Sequence, residues 1–239
     1  MAKRNVAVVL AGGKGSRMGN GGEDQTPKQF FMVGGKTILD YSVRTFDNNP
    51  GIDEVVIVSH RDYVERVAAL VRAGGYRKVA AILEGGKERY DSSLAAIRRY
   101  ANEDVNLIFH DAARPLVSER IINDVISSLK SAQACGVAVP SVDTILVCKD
   151  GVLQSVPDRS TMYRAQTPQG FDIKVIKSAY EIGLKDPGFQ ATDDCGILLK
   201  YRPDIPIKIV EGEDANLKVT YRDDLGMVEM YLKKKGQNQ

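Results

Sequence analysis

The chain has 239 residues and a formal net charge of +2, with 43% hydrophobic and 27% charged residues. This length and composition are typical of one globular domain and exclude fibrous and low-complexity proteins. The small net charge argues against a nucleic-acid surface, and we find no membrane-length apolar segment or signal-peptide pattern. We therefore expect a protein that binds neither nucleic acid nor membranes. The three cysteines are widely spaced and lack C-x-x-C spacing, so we expect free thiols in a reducing cytoplasm.

The first half of the chain alternates short β-branched runs with amphipathic stretches of about ten to fifteen residues, which is typical of βαβ units around a parallel sheet. The spacing Asp62-x-x-Glu65 predicts a capping box at the start of the second helix. Strands are expected at Val6–Leu10, Glu54–Ser59, Val79–Leu83, Leu107–His110 and Gly136–Val139, and helices at Ile38–Asn48, Asp62–Ala73, Arg89–Ala101 and Glu119–Ala134.

The pattern changes after Pro140. Lys149-Asp150-Gly151 separates the runs Thr144–Cys148 and Val152–Val156, and Asp-Gly in this setting predicts a β-hairpin. We therefore expect a protruding β-arm at about residues 141–160 of a single domain spanning 1–239. The remaining predictions are helices near Ile173–Leu184 and Asp193–Tyr201, a strand at Ile207–Val210, and a last helix capped through Thr220-x-x-Asp223.

The first strand ends in a glycine-rich segment, Leu10-Ala11-Gly12-Gly13-Lys14-Gly15-Ser16-Arg17-Met18-Gly19. Open α/β sheets bind ligands at this edge, and glycines let backbone N–H groups turn toward an anion. The spacing fits neither a Walker A loop nor a dinucleotide-binding fingerprint, and a tight structural turn would look similar. Pro27-Lys28-Gln29-Phe30 follows, and a loop that folds back would bring Arg17 and Lys28 to one polyanion.

Two further segments follow predicted strands. Gly85-Gly86-Lys87-Glu88-Arg89-Tyr90-Asp91-Ser92 is either a ligand-binding helix start or a simple loop-to-helix junction. In His110-Asp111-Ala112-Ala113-Arg114-Pro115, a carboxylate at Asp111 can hold Mg²⁺ on a triphosphate. We expect His110 to be a structural hydrogen-bonding residue, and pairing of Arg114 with a neighbouring acid is an alternative to a ligand role.

Gly-Gly-x-Gly-x-Arg-Met followed by Pro-Lys-Gln resembles the opening of sugar-phosphate nucleotidyltransferases. Together with Tyr163–Phe171, Ala191–Asp194 and Asn216–Thr220, it makes residues 5 to about 234 resemble the 2-C-methyl-D-erythritol 4-phosphate cytidylyltransferase family. The resemblance implies an α/β fold, a single Rossmann-like nucleotidyltransferase domain with a mostly parallel sheet and a β-arm that grips the second subunit of a homodimer. It also implies an enzyme that joins CTP to a polyol phosphate, with Mg²⁺ as cofactor.

The resemblance further implies the roles of individual residues. Arg17, Lys28 and Lys218 would act on the phosphates as catalytic residues. Asp111 would hold the metal. Thr144, Arg159 and Thr192 would bind the acceptor, with Arg159 reaching across the dimer. The nucleotide would contact Ala11, Gly12, Gly13, Gly15, Gly85, Gly86, Ser92, Asp111 and Ala112.

The acceptor is less sharply indicated than the nucleotide. Met162-Tyr163 and Asp194-Cys195 resemble the related ribitol 5-phosphate cytidylyltransferases, whereas Ala112-Ala113, Arg89-x-Asp91-Ser92 and Ala165-Gln166 favour methylerythritol phosphate. We expect methylerythritol phosphate and keep ribitol phosphate as the alternative. A nucleotide-binding module without turnover is a second alternative, but the cations Arg17 and Lys28 with Asp111 favour an enzyme. An α/β hydrolase or a dehydrogenase is excluded because the sequence has neither a nucleophile elbow nor a dinucleotide-binding fingerprint.

Overall fold

The computed structural model describes residues 3–13 and 26–237, which form eleven strands and seven α-helices. The strands are β1 (Arg4–Ala11), β2 (Met32–Val33), β3 (Lys36–Thr37), β4 (Glu54–His60), β5 (Val79–Gly85), β6 (Val105–Asp111), β7 (Ala134–Pro140), β8 (Val147–Lys149), β9 (Val152–Ser155), β10 (Tyr163–Asp172) and β11 (Lys208–Glu211). The helices are α1 (Ile38–Asn48), α2 (Val64–Gly74), α3 (Arg89–Arg99), α4 (Glu119–Ser128), α5 (Ile173–Gly183), α6 (Asp194–Tyr201) and α7 (Asp224–Gln237).

Within these ranges, seven strands form one sheet in the order β11-β7-β10-β6-β1-β4-β5. The strands β4 and β6 run parallel to β1, which lies between them. Strand β5 is parallel to β4 and β11 is parallel to β7, whereas β10 is antiparallel to both β6 and β7. The predicted α/β fold with a mostly parallel sheet is therefore confirmed. Four of the parallel strands also place their carboxyl ends side by side at one edge.

Alternate residues of the central strands build two apolar layers, one on each face of the sheet. Val6 and Val8 pack in the layer that includes residues of α3 and α5. Ala7 and Val9 pack in the layer that includes residues of α1 and α4. Because helices cover both faces, β1 is an almost continuous apolar run rather than an alternating one.

The second half of the sheet differs most from the prediction. The strand β10 was not predicted, because Tyr163–Asp172 contains polar residues and Pro168 in place of an apolar run. Its buried polar side chains are satisfied by tertiary hydrogen bonds, as when Gln166 donates to the carbonyl of Glu213. The predicted helix Glu119–Ala134 is also too long, since Ala134 already begins β7.

Two predicted helix caps are wrong. Before α2 the imidazole of His60, not Asp62, accepts a backbone hydrogen bond, and a short 3₁₀ turn precedes the helix. Before α7 the carboxylate of Asp224, rather than Asp223, accepts the N–H groups of Thr220 and Tyr221. Both caps were predicted from sequence spacing alone. In the folded chain, a side chain next to or near the predicted one accepts the backbone hydrogen bond instead.

The predicted hairpin is present as β8 and β9, joined by Asp150 and Gly151. Both turn residues have positive φ, 52° and 76°, as the tight two-residue turns that suit Asp-Gly require. The strands are shorter than predicted, and β8 begins at Val147 rather than Thr144. None of the helices in residues 3–13 and 26–237 is both long and apolar enough to cross a lipid bilayer.

Candidate functional site

The carboxyl edge of the sheet brings the predicted nucleotide segments together. Leu10 is in register with Asp111 on one side of β1, and the N–H of Ala112 donates to the carbonyl of Leu10 at 3.0 Å. On the other side, His60 at the end of β4 is in register with Gly85. The glycine-rich loop, the segment after β5 and Asp111 therefore share one edge.

Ser92 lies where two of these segments meet. A Cβ built on Gly12 would come within 2.8 Å of the Ser92 hydroxyl oxygen, and one on Gly85 would come within 2.5 Å. Both distances are shorter than real Cβ contacts, so a side chain at either position would have to displace the Ser92 hydroxyl. The structure thus joins Gly12, Gly85 and Ser92 at one point, at the start of α3.

The start of α3 is stabilised by a capping box that was not predicted from the sequence. Glu88 accepts a hydrogen bond from the backbone of Asp91, and Asp91 accepts one from the N–H of Glu88. A Cβ on Gly86 would lie 2.5 Å from Asp91, so this glycine also allows a close approach. The sequence signal was present as Glu-x-x-Asp, an acidic variant of the usual pattern.

Lys28 lies in a short 3₁₀ turn, Lys28–Phe30, that is tied to the first loop. The buried side chain of Gln29 donates to the carbonyl of Ala11 at 3.0 Å, and Phe30 is buried in the core. The hydrogen bond between Gln29 and Ala11 places the backbone of the neighbouring Lys28 close to the end of β1. Arg17 and Gly15 lie outside the described residues, and so does the predicted meeting of Arg17 with Lys28.

Asp111 forms the charged centre of this edge. Its Oδ1 accepts from Arg89 Nε at 3.3 Å, and its Oδ2 accepts from Lys218 Nζ at 2.7 Å. The Asp111 side chain is 11% exposed, against 25% for Arg89 and 41% for Lys218. Burial alone would raise the pKa of Asp111, but the two adjacent cations outweigh burial and hold that pKa well below its usual range.

A second buried carboxylate, that of Asp194, also pairs with Arg89. Arg89 Nη1 lies 2.7 Å from Asp194 Oδ2, and the hydroxyl of Tyr180 donates to Asp194 Oδ1 at 2.6 Å. The sequence motifs that contain Arg89 and Asp194 did not predict that these two residues form a pair. A buried Asp at a helix start gives no local signal that its partner lies in another motif.

The prediction that His110 is a structural residue is confirmed. Its ring is fully buried, with Nδ1 3.0 Å from Thr167 Oγ1 and Nε2 3.0 Å from the carbonyl of Arg114. A carbonyl only accepts, so Nε2 carries the proton and the Thr167 hydroxyl donates to Nδ1. Burial lowers the pKa of His110 to about 4, which keeps the ring neutral at pH 7.

Among residues 3–13 and 26–237, Arg114 forms no ion pair with an acid, so the pairing considered as an alternative is not found there. Its guanidinium donates to the carbonyl of Asn216 at 2.8 Å and to that of Ala165 at 3.2 Å. The side chain of Asn216 donates to the carbonyl of Thr167 at 2.8 Å, and the N–H of Val219 donates to that of Ala113 at 2.8 Å. These bonds dock the segment that carries Lys218 onto the loop after Asp111.

The predicted acceptor residues lie on two segments of the chain, the arm region and the start of α6. Thr144 and Arg159 are exposed in the arm region, where Arg159 Nη1 donates to the carbonyl of Val142 at 3.4 Å. Thr192 is exposed just before the start of α6. Among the described contacts within this one chain, none joins these three residues to Asp111 or Lys218.

The fold and the site can be compared with known proteins. The chain is 45% identical over 237 residues to the 2-C-methyl-D-erythritol 4-phosphate cytidylyltransferase of Thermobifida fusca, covering 96% of this chain and 94% of that one. It is 41% identical to the bifunctional ribulose 5-phosphate reductase/CDP-ribitol pyrophosphorylase of Haemophilus influenzae, covering 93% of this chain and 47% of that protein.

A solved structure agrees with these relatives. The 4-diphosphocytidyl-2C-methyl-D-erythritol synthase of Anaerococcus prevotii matches with a TM-score of 0.84 and 27% identity, covering 97% of this chain and 99% of that one. Residues 5–234 also match the sequence model of the 2-C-methyl-D-erythritol 4-phosphate cytidylyltransferase family. The family resemblance drawn from the motifs is thereby confirmed, and the chain belongs to the 2-C-methyl-D-erythritol 4-phosphate cytidylyltransferase family.

Proposed function

We propose that this chain transfers the cytidylyl group of CTP to 2-C-methyl-D-erythritol 4-phosphate and releases pyrophosphate. The observation that carries the proposal is the placement of Asp111 between Arg89 and Lys218, at the edge where Gly12, Gly85 and Ser92 converge. The name of the 45% identical relative from Thermobifida fusca supports the same reaction. The protein would act in the cytoplasm, in agreement with its three free cysteines.

The nucleotide would bind along the two glycine segments. Backbone groups at 11–13, Gly15, Gly85 and Gly86 would face the cytidine and the triphosphate, with Ser92 and Ala112 closing the pocket around them. Support comes from the convergence of these segments, since glycine at both contact points leaves backbone N–H groups unshielded by a Cβ. A nucleoside triphosphate is the kind of polyanion that such a cradle stabilises.

The reaction needs alignment and positive charge more than a base. The acceptor is a phosphate monoester that is mostly a dianion at pH 7, so its oxygen can attack the α-phosphorus of CTP directly. The bond from that phosphorus to the bridging oxygen breaks, and pyrophosphate leaves with the electron pair. Arg17, Lys28 and Lys218 would neutralise the charge that grows on the phosphoryl oxygens and the leaving group.

Asp111 suits a magnesium ion that is held mainly by the substrate. No cluster of three or more potential protein ligands occurs among residues 3–13 and 26–237, so Asp111 would supply a single carboxylate. Mg²⁺ in nucleotide sites is commonly bound by one or two carboxylates, phosphate oxygens and water, and this donor set fits that pattern. The ion would add charge neutralisation on the triphosphate.

We propose that the acceptor site is completed by a second copy of the chain. Thr192 would contact the acceptor from the same chain as Asp111, while Thr144 and Arg159 would belong to the arm, with Arg159 reaching across a homodimer. The exposed apolar side chains of the arm, such as Leu146 and Val152, support an arm that packs against a partner. Such a dimer would bring arm residues of one copy to the edge that carries Asp111 in the other.

Ribitol 5-phosphate is the second candidate acceptor. The 41% identical relative from Haemophilus influenzae is named a CDP-ribitol pyrophosphorylase, which supports this alternative. Methylerythritol phosphate is favoured because the family match extends over residues 5–234 and the relative with 45% identity carries that name.

One assay tests the activity and separates the candidates. The protein is incubated with Mg²⁺ and CTP, and with methylerythritol 4-phosphate or ribitol 5-phosphate in separate reactions, and pyrophosphate is measured. We expect pyrophosphate with methylerythritol phosphate only. Product with ribitol phosphate alone would overturn the acceptor, and CTP binding without pyrophosphate in either reaction would indicate a non-catalytic nucleotide-binding module.

A further inference from the structure

Arg89 connects two carboxylates that belong to different parts of the site. Its Nε donates to Asp111 at the end of β6, and its Nη1 donates to Asp194 at the start of α6. Arg89 itself is the first residue of α3, directly after the glycine segment of β5. One guanidinium therefore links the proposed nucleotide segment, the proposed metal ligand and the helix that follows Thr192.

The Asp194 end of this link is rigidly built. Asp194 is fully buried, and the hydroxyl of Tyr180 donates to its second carboxylate oxygen at 2.6 Å. The side-chain oxygen of Gln169 accepts the backbone N–H groups of Asp194 and Cys195, each at 3.2 Å. A buried carboxylate is stable only when it is paired and hydrogen-bonded, so this set fixes Asp194 as an anchor for Arg89.

The Asp111 end differs, because its two oxygens have unlike partners. Oδ1 accepts a hydrogen bond from Arg89, which is itself paired with Asp194. Oδ2 accepts one from Lys218, whose side chain is 41% exposed. We infer that Arg89 and Asp194 are positioning residues that set the orientation of the Asp111 carboxylate and leave Oδ2 on the side of Lys218. The inference rests on the proposed function, which places the reacting phosphates at Asp111 and Lys218.

The chemistry of arginine explains why this residue type suits the position. A guanidinium presents donors in a planar fork and can bind two carboxylates at once, whereas a lysine ammonium is a single point charge on a flexible stem. Without the charge of Asp194, Arg89 would be drawn toward Asp111 alone and would turn its carboxylate away from Lys218. The geometry of Asp111 thus depends on a residue that touches no substrate.

The test compares two tyrosines, each of which donates its hydroxyl to an aspartate. Tyr180→Phe removes the bond to Asp194, and Tyr201→Phe removes a bond of 2.8 Å to Asp186, which has no described hydrogen bond to Arg89 or Asp111. Asp194→Asn removes the anchoring charge itself with little change in shape. Each variant is assayed for kcat, for the KM of CTP and of the acceptor, and for melting temperature.

We expect Asp194→Asn to lower kcat at least tenfold and Tyr180→Phe about threefold, while the KM of CTP changes less than threefold. Tyr201→Phe should keep wild-type kcat. Should Asp194→Asn fail to fold, the comparison of Tyr180→Phe with Tyr201→Phe still decides.

If kcat of Tyr180→Phe stays equal to that of Tyr201→Phe while the unmodified chain turns over normally, the inference is overturned and the proposed function stands. If the unmodified chain forms no pyrophosphate with either acceptor, the proposed function fails and the inference fails with it.

Discussion

The carboxyl edge of the sheet and the arm at about 141–160 differ in how their functional side chains are surrounded. At the edge, Asp111 is buried and both of its carboxylate oxygens have partners in the same chain. In the arm, Leu146 is 55% exposed and Val152 is 61% exposed, and the predicted acceptor residue Arg159 faces solvent. The edge is a preformed charge arrangement, whereas the arm has a surface that a single chain leaves uncovered.

This difference separates two kinds of mutational effect. A change at the edge should alter the chemistry and leave the oligomeric state as it was. A change on the arm should alter the oligomeric state first and lose activity as a consequence. Turnover and molecular mass measured on the same variants therefore distinguish the roles of the two regions.

The largest effect is expected for Asp111→Asn at the edge. Losing the charge would remove the proposed metal ligand and the partner of Lys218, and we expect kcat to fall about a thousandfold, near the upper range for removing one charge-stabilising group. Pyrophosphate release measures turnover, and light scattering should give an unchanged molecular mass. Turnover within tenfold of the unmodified chain would contradict the proposed role of Asp111.

Lys28→Ala should follow, with a loss of roughly 3 kcal/mol in transition-state stabilisation, about a hundredfold in turnover. The fold should stay intact, because Gln29 and Phe30 anchor this turn independently of the lysine. Turnover and melting temperature are measured together. Near-normal turnover with normal melting would count against a phosphate-binding role for Lys28.

On the arm, the double variant Leu146→Asp with Leu153→Asp should give monomers and about a tenfold loss of activity at micromolar concentration. Both side chains are more than half exposed, so charges there cost little within one chain but would have to be desolvated in a dimer. Analytical ultracentrifugation and turnover are the measurements. Ile182→Asp, at an exposed position on α5, is the matched control and should remain dimeric and active.

The smallest effect is expected for the pH dependence of stability that is caused by His110, at the carboxyl edge of the sheet. Burial lowers the pKa of His110 from an ordinary 6.5 to about 4, so the unfolded chain binds more protons between these values, and stability is lost as pH falls. Going from pH 7 to 5.5 should cost about 1 kcal/mol at this residue. Urea unfolding of the unmodified chain and of His110→Gln measures it, and equal pH slopes would refute the assignment.

Features of the fold that have local causes could be predicted from the sequence. Apolar runs indicated the positions of β1, β4 and β6, because strands buried on both faces must be apolar almost throughout. Asp150-Gly151 determined the hairpin, since a tight turn needs residues that accept positive φ. The glycine segments and Asp111 were placed at one edge because parallel strands end on the same side of a sheet.

The contacts between groups that are distant in sequence could not be predicted and are known from the folded chain. Arg89 and Asp194 are 105 residues apart, and no periodicity or spacing connects them. The strand β10 was missed because its polar residues are satisfied by partners from other segments, such as Asn216 for the carbonyl of Thr167. A buried charge or amide is stable only with its partner in place, and the folded chain, not the local sequence, supplies that partner.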